Sequence, residues 1–172
     1  MILRLNDGRS VAIRPIFPTD LDALRTFYAS LSPRTRAQRF HVSIKELPEV
    51  LLRELTAVDS SVHVAFVAED RGAAVDRPGA LVAEARYVRH AGSDSAEFAL
   101  VVADEWHRAG LGTALVQALL RNARFAGLCR ICGDVLADNQ ATRGFLGSLG
   151  ARPVPGAGDA GTVRLCLEPQ AG

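Results

Sequence analysis

The sequence predicts a mixed α/β domain, with a mostly antiparallel sheet flanked by helices on both faces. Two observations carry this. Several strand-like runs come first and are joined by short turns, as in antiparallel pairing, and strand–helix units follow them. The chain has 172 residues with 48% hydrophobic side chains, enough for one sizeable core and one domain over residues 1–172.

The elements follow in order. Ile2 to Ile16 alternates around Asp7-Gly8 and reads as a hairpin. Pro18 and Thr19 introduce a helix, with Thr19 as the expected N-cap and Asp22 three residues on. Leu21, Leu24, Phe27 and Tyr28 form its apolar face. Ser32-Pro33 is a cap and first position for a second helix through Phe40, and Pro48 plays that part for a third. Strands are expected over Val62–Ala68, Ala80–Val88 and Ala96–Ala103, separated by GAAVDRPG and HAGSD. A helix then runs to about Ala126 and stops at Gly127. Arg130–Leu136 is a strand, Asp138 caps a last helix ending at Gly150, GARPVPGAGDAG is loop, and Thr162–Leu167 is the final strand.

The formal net charge is +1, which argues against a nucleic-acid or membrane surface. No apolar stretch is long enough to span a bilayer and no signal-peptide pattern opens the chain, so a cytoplasmic location is expected. Three cysteines do not suggest a disulfide framework. Cys129 and Cys132 have CxxC spacing, but with only Cys166 besides, buried reduced thiols are expected and no metal. His41, His63, His90 and His107 lack metal-ligand spacing. His63 reads as structural and Trp106 as a core or turn anchor.

The segment Val101 to Leu119, VVADEWHRAGLGTALVQAL, is the most informative. A strand ends, a turn carrying Gly110 and Gly112 follows, and a helix starts without a break. The first N–H groups of a helix lack internal partners and sit at its positive end, so the arrangement suits a phosphate. Neither a Walker loop nor a dinucleotide fingerprint is present, and a plain strand-to-helix turn also fits.

His107-Arg108-Ala109-Gly110-Leu111-Gly112 resembles the Gln/Arg-x-x-Gly-x-Gly/Ala motif of the GNAT superfamily of acyl-CoA-dependent N-acyltransferases, with histidine at the first position. Leu31–His41, Ala85–His90, Ser95–Trp106 and Val135–Gly150 are similar to the GNAT domain of bacterial Pat-type protein lysine acetyltransferases, and the amino-terminal hairpin and carboxy-terminal strand also fit, so the likeness covers nearly the whole chain. It implies a GNAT-like fold with acetyl-CoA as cosubstrate and an amine acceptor, and the Pat likeness points to a protein lysine. It also implies that backbone at Val101, Val102 and Ala103 pairs with pantetheine. The N–H groups of Arg108, Ala109, Gly110, Leu111, Gly112 and Thr113 would hold the pyrophosphate, and Asn139 would contact CoA. Asn139 equally reads as a helix-start cap beside Asp138, and Arg108 as a solvated loop arginine. Leu146 stands where many relatives place a general-acid tyrosine, and Ala151 where phenylalanine is usual.

Amide formation needs a neutral amine. Neutralising a lysine of pKa about 10.4 at pH 7 costs roughly 4 to 5 kcal/mol, so a nearby base is expected. Glu97 is the candidate, on a strand whose alternation groups it with Ala99, Val101 and Ala103, opposite Phe98, Leu100 and Val102. The resemblance places the family's proposed base at this residue. The other reading is a solvated strand-edge glutamate or a partner of Arg86. Glu84 is the rival carboxylate, expected at the surface beside Arg86 or Arg89. Gly144 and Gly147 suggest either close approach of a ligand or strand, or drift. Besides acetylation of a protein lysine, two readings stay open: acetylation of a small amine, and a non-catalytic acyl-CoA-sensing module.

Overall fold

The computed structural model describes residues 1–59, 61–72, 79–159 and 161–169; most of the expected loop GAAVDRPG lies outside them. Their strands form one eight-stranded sheet in the order β1-β2-β3-β4-β5-β6-β8-β7. β1 (Ile2–Arg4) and β2 (Ser10–Pro15) make the predicted hairpin. β3 (His63–Asp70), β4 (Leu81–Arg89) and β5 (Ser95–Val102) continue the antiparallel meander. β6 (Arg130–Leu136) joins β5 in parallel, and β8 (Thr162–Leu167) returns antiparallel to β6. A short strand β7 (Arg152–Pro153) forms where only loop was expected, because Arg152 and Pro153 lie against Cys166 and Leu165 of β8.

The helices are α1 (Leu21–Ser30), α2 (Pro33–Phe40), α3 (Glu49–Thr56), α4 (Leu111–Phe125) and α5 (Gln140–Ser148). Side-chain alternation on β4 separates the two faces of the sheet. Glu84 reaches Tyr28 of α1, and Arg86 reaches the Leu55 carbonyl of α3. Tyr87 points the other way and donates to Asn122 of α4. Phe145 of α5 lies beside Gly112 and Leu100, on the α4 side. The α4 seam of Leu115, Val116 and Leu119 is fully buried, as its spacing demands.

Helix starts show where local rules held. Ser32 caps α2, accepting from the Thr35 N–H at 3.2 Å, with Pro33 at the first position. Thr19 does not cap α1. A 3-10 turn over Pro18–Asp20 comes first, and the Asp20 carboxylate accepts from the Phe17 N–H at 2.8 Å and from Arg14. The charge-assisted pair with Arg14 outcompetes an ordinary threonine cap. α3 begins at Glu49, one residue later than expected, with Pro48 as its cap. Asn139, not Asp138, caps α5, accepting from the Thr142 N–H at 3.1 Å.

The cysteine expectation is overturned. Cys132 and Cys166 are direct cross-strand partners on β6 and β8 and are joined as a disulfide, while Cys129 is free and exposed. CxxC spacing put Cys129 and Cys132 together on paper, but strand register chooses the pair. The linked residues are 34 apart in sequence, so reduction should lower stability by about 2–4 kcal/mol. Urea unfolding with and without dithiothreitol measures this; equal midpoints and three titratable thiols in untreated protein would refute the bond.

Gly144 and Gly147 face open space: a Cβ at either meets nothing within 4 Å. No close approach of chain requires glycine there. Gly144→Ala and Gly147→Ala should each raise stability by about 1 kcal/mol in thermal or urea melts, through helix propensity and a less flexible unfolded chain.

Candidate active site

The site is built where β5 and β6 part. They pair only at Ser95↔Arg130, Ala96↔Ile131 and Glu97↔Cys132, although both strands run on. Gly133 makes the parting point possible, because a Cβ there would lie 2.7 Å from the Phe98 carbonyl oxygen. Ala103 N–H bonds the Val82 carbonyl at 2.9 Å, so odd-numbered residues of β5 spend their backbone groups on β4. Backbone groups of Phe98, Leu100 and Val102 therefore face β6 and the gap. Of the expected segment Val101–Ala103, Val102 presents backbone to the gap, whereas Val101 and Ala103 pair with β4. His107 Nε2 bonds the Val102 carbonyl at 2.9 Å, which requires the Nε2–H tautomer.

The glycine turn follows directly. A 3-10 turn, Asp104–Trp106, leads through His107 and Arg108 to Gly110 at φ +88, and α4 starts at Leu111. A non-glycine residue is strained at that φ. Arg108 also takes a positive φ of 60. Ala109 and Leu111 are buried, and the Ala109 carbonyl accepts from Asn6 N–H at 3.1 Å, so the β1–β2 hairpin braces the loop. Arg9 adds to this brace by stacking 3.8 Å over Trp106, a buried turn anchor as expected, and by bonding the Glu105 carbonyl. The first intrahelical bond at this end is Ala114 N–H to Gly110. The N–H groups of Leu111, Gly112 and Thr113 precede it, with no side-chain cap and no acidic residue in the first turn. Such an end favours an anion.

Asp104 ties this loop to α2. It accepts from Ser32 N–H at 3.0 Å, Ser32 Oγ at 2.8 Å and Thr35 Oγ1 at 2.7 Å. Desolvation works to raise its pKa, but these donors outweigh it and hold the carboxyl below its ordinary range. The Ser-Pro-x-Thr block and the ADEW segment are thus two halves of one contact, 72 residues apart for Ser32 and Asp104.

Glu97 lies on the α1–α3 face with Ala99 and Val101, as the alternation predicts. It pairs with Arg164 of β8, not with Arg86, and His90 Nε2 stands 3.7 Å away. The other arm of Arg164 bonds Asp134 Oδ2 of β6 at 2.9 Å. Neither Arg164 nor Asp134 was singled out from sequence. Arg164 is the one charge in the apolar strand TVRLCL and Asp134 the one acidic residue in RICGDVL, which was the available signal. A cavity of about 210 Å³ reaches Arg164 and is lined also by His90, Ala96, Cys132, Val154 and Ala157, but by neither Glu97 nor Asp134. A larger one of about 370 Å³ lies among residues of α1, α3 and the loop before α3, and includes no residue of β5, β6 or the glycine turn.

Glu84 is not at the surface, contrary to expectation. It is 1% exposed, accepts from Tyr28 Oη and pairs with Arg86, itself 4% exposed. Desolvation alone would raise its pKa. The Arg86 and Arg39 guanidinium groups and the Tyr28 hydroxyl overturn that and keep it lowered, while burial and the Glu84 charge push Tyr28 up. Arg86 also contacts His63 Nε2 at 2.7 Å, giving His63 the expected structural part. Burial, then the Arg86 charge, lowers the His63 pKa. Asn139 is buried and its side chain caps α5. Leu146 is core. Among the described residues no His/Cys/Asp/Glu group could hold a metal ion, and no helix is long and apolar enough to cross a membrane.

The model of the acetyltransferase (GNAT) family matches residues 25–151. An acetyltransferase of Pseudomonas aeruginosa is 35% identical over 148 residues, 85% of this chain and 77% of that protein. The acetyltransferase Pat of Mycolicibacterium smegmatis is 31% identical over 150 residues; these are 87% of this chain but 43% of that protein, so the chain matches less than half of that relative's length. The crystal structure of the GNAT domain of S. lividans PAT superposes with a TM-score of 0.88 at 26% identity, covering 98% of this chain and 96% of that one. A cAMP-binding acyltransferase from Mycobacterium smegmatis gives 0.66 at 26% identity, with 99% and 47% covered.

Proposed function

The chain belongs to the GNAT acetyltransferase family; from that premise we propose that it moves an acetyl group from acetyl-CoA to an amine, that the acceptor is a protein lysine and that Glu97 is the general base. The observation that carries the proposal is the parting of β5 and β6 just beyond Glu97, with the uncapped first turn of α4 placing Gly112 beside Leu100. In this reading the N–H groups from Arg108 to Thr113 take the pyrophosphate. Pantetheine lies along Leu100 and Val102, and Asn139 borders the CoA from the start of α5. The thioester then reaches the gap beside Glu97. The acceptor arrives as an ammonium and gives one proton to Glu97. The neutral amine attacks the thioester carbonyl, and backbone N–H at the gap stabilises the oxyanion. As the C–N bond forms, the C–S bond breaks and CoA leaves as thiolate, taking the second amine proton to become the thiol. With a thiol pKa of about 8.5, no dedicated acid is needed, which accommodates Leu146. Glu97 finally returns its proton to solvent.

Likeness to Pat proteins supports the protein-lysine acceptor, and the 210 Å³ cavity is of a size to admit an aliphatic amine arm. The Arg164–Glu97 ion pair is the observation that favours a binding-only reading, since that carboxylate already has a partner within the fold. Free CoA released from acetyl-CoA with lysine peptides, proteins and small amines separates the readings. Turnover on protein or peptide lysine supports the proposal, turnover only on small amines moves the acceptor class, and tight acetyl-CoA binding without turnover favours sensing.

A further inference from the structure

Asp134 carries a group that nothing in the fold uses. Its Oδ2 accepts from Arg164, but its Oδ1 is the one buried side-chain oxygen or nitrogen among the described residues without a hydrogen-bond partner. Native proteins rarely leave such an acceptor unpaired, and a part in binding or catalysis is one reason that they do. Position sharpens the point. Cys132 is the register partner of Glu97, so Asp134, two residues on, lies on the same face of the sheet beyond the last β5–β6 pair. One Arg164 guanidinium holds both carboxylates, Nη1 on Asp134 and Nη2 on Glu97. The cavity lined by Ala96 and Cys132 meets this rung at Arg164, and neither carboxylate is among its lining residues.

We propose that Asp134 is the second carboxylate of the amine site, its Oδ1 accepting an N–H of the incoming acceptor beside Glu97. The inference rests on the acetyl-transfer reading above. An alkylammonium brings three donors, and Glu97 removes one proton. The neutral amine keeps two N–H groups; the one held by Asp134 fixes its orientation and turns the lone pair toward the thioester in the gap. Asp134 therefore governs capture of the amine and Glu97 its deprotonation. Arg164 spaces the two carboxylates, with one arm of its guanidinium on each.

Asp134→Asn is the discriminating variant. Its carbonyl can still accept from Arg164, preserving the structural contact, while its NH2 puts a donor where the amine needs an acceptor. With acetyl-CoA and Nα-acetyl-lysinamide, the KM for the amine should rise about tenfold or more, and acetyl-CoA affinity should stay within about twofold. An amine KM within about twofold of wild type overturns the proposal. A wild-type measurement guards against a variant that folds poorly. In the protein loaded with free CoA, the ¹³C carboxyl resonance of Asp134 should move on adding Nα-acetyl-lysinamide and stay still on adding Nα-acetyl-norleucinamide, which lacks the amine. No movement with the amine, or equal movement with both, overturns it. Absence of CoA release by wild-type protein would instead sink the acetyl-transfer reading, and the resonance would still decide whether Asp134 holds an amine.

Discussion

Replacing Glu97 by glutamine lowers acetyl transfer by about 100-fold or more and leaves acetyl-CoA affinity within about twofold. Glutamine keeps a carbonyl oxygen for the Arg164 guanidinium, so the rung across β5, β6 and β8 survives. It cannot take a proton, so the roughly 4 to 5 kcal/mol needed to neutralise a lysine at pH 7 falls on solvent. Steady-state CoA release with a lysine peptide and calorimetry with acetyl-CoA check the two halves separately. Wild-type turnover in the variant would remove Glu97 from the proton path. A loss of acetyl-CoA affinity instead would recast Glu97 as part of the cofactor cleft.

Removing the buried charge at Glu84 produces the largest stability change. Glu84→Ala leaves the Arg86 guanidinium buried without its counter-ion and Tyr28 without its acceptor. Such a break costs about 3–5 kcal/mol, which in a chain of this length lowers Tm by roughly 10 °C. A charge-free pair, Glu84→Leu with Arg86→Met, should recover most of that loss, because the penalty lies in the stranded charge rather than in a missing attraction. Thermal melts of the three proteins decide it. A single variant within about 1 kcal/mol of wild type would mean that water reaches Arg86.

These two glutamates share a sheet face and lie on adjacent strands, and from the sequence they look alike. Both are carboxylates that interrupt an apolar run. Which is buried depends on what covers the strand. α1 and α3 close over β4, so Tyr28, Leu55 and Arg86 surround Glu84. Glu97 stands opposite Val88, which is 41% exposed, at the end of β5 that these helices do not seal. Cover of this kind comes from segments 56 residues away for Tyr28 and Glu84, and no local pattern reports it.

What the chain determines by itself is the set of elements and one functional end. Periodicity, proline and glycine placement located the helices and most strands to within a residue or two, because those signals act over a few neighbours. The glycine turn was legible for the same reason: positive φ at Gly110 and free N–H groups at a helix start are local properties. Tertiary structure alone decided the partners. Register on β6 and β8 chose Cys132 with Cys166 and set Arg164 between Glu97 and Asp134; the return of α2 put Ser32 on Asp104. These are contacts between residues far apart in the chain. Their geometry follows from how whole strands and helices pack, so a motif can name the proposed phosphate grip, while the proposed amine site appears only when β5, β6 and β8 stand side by side.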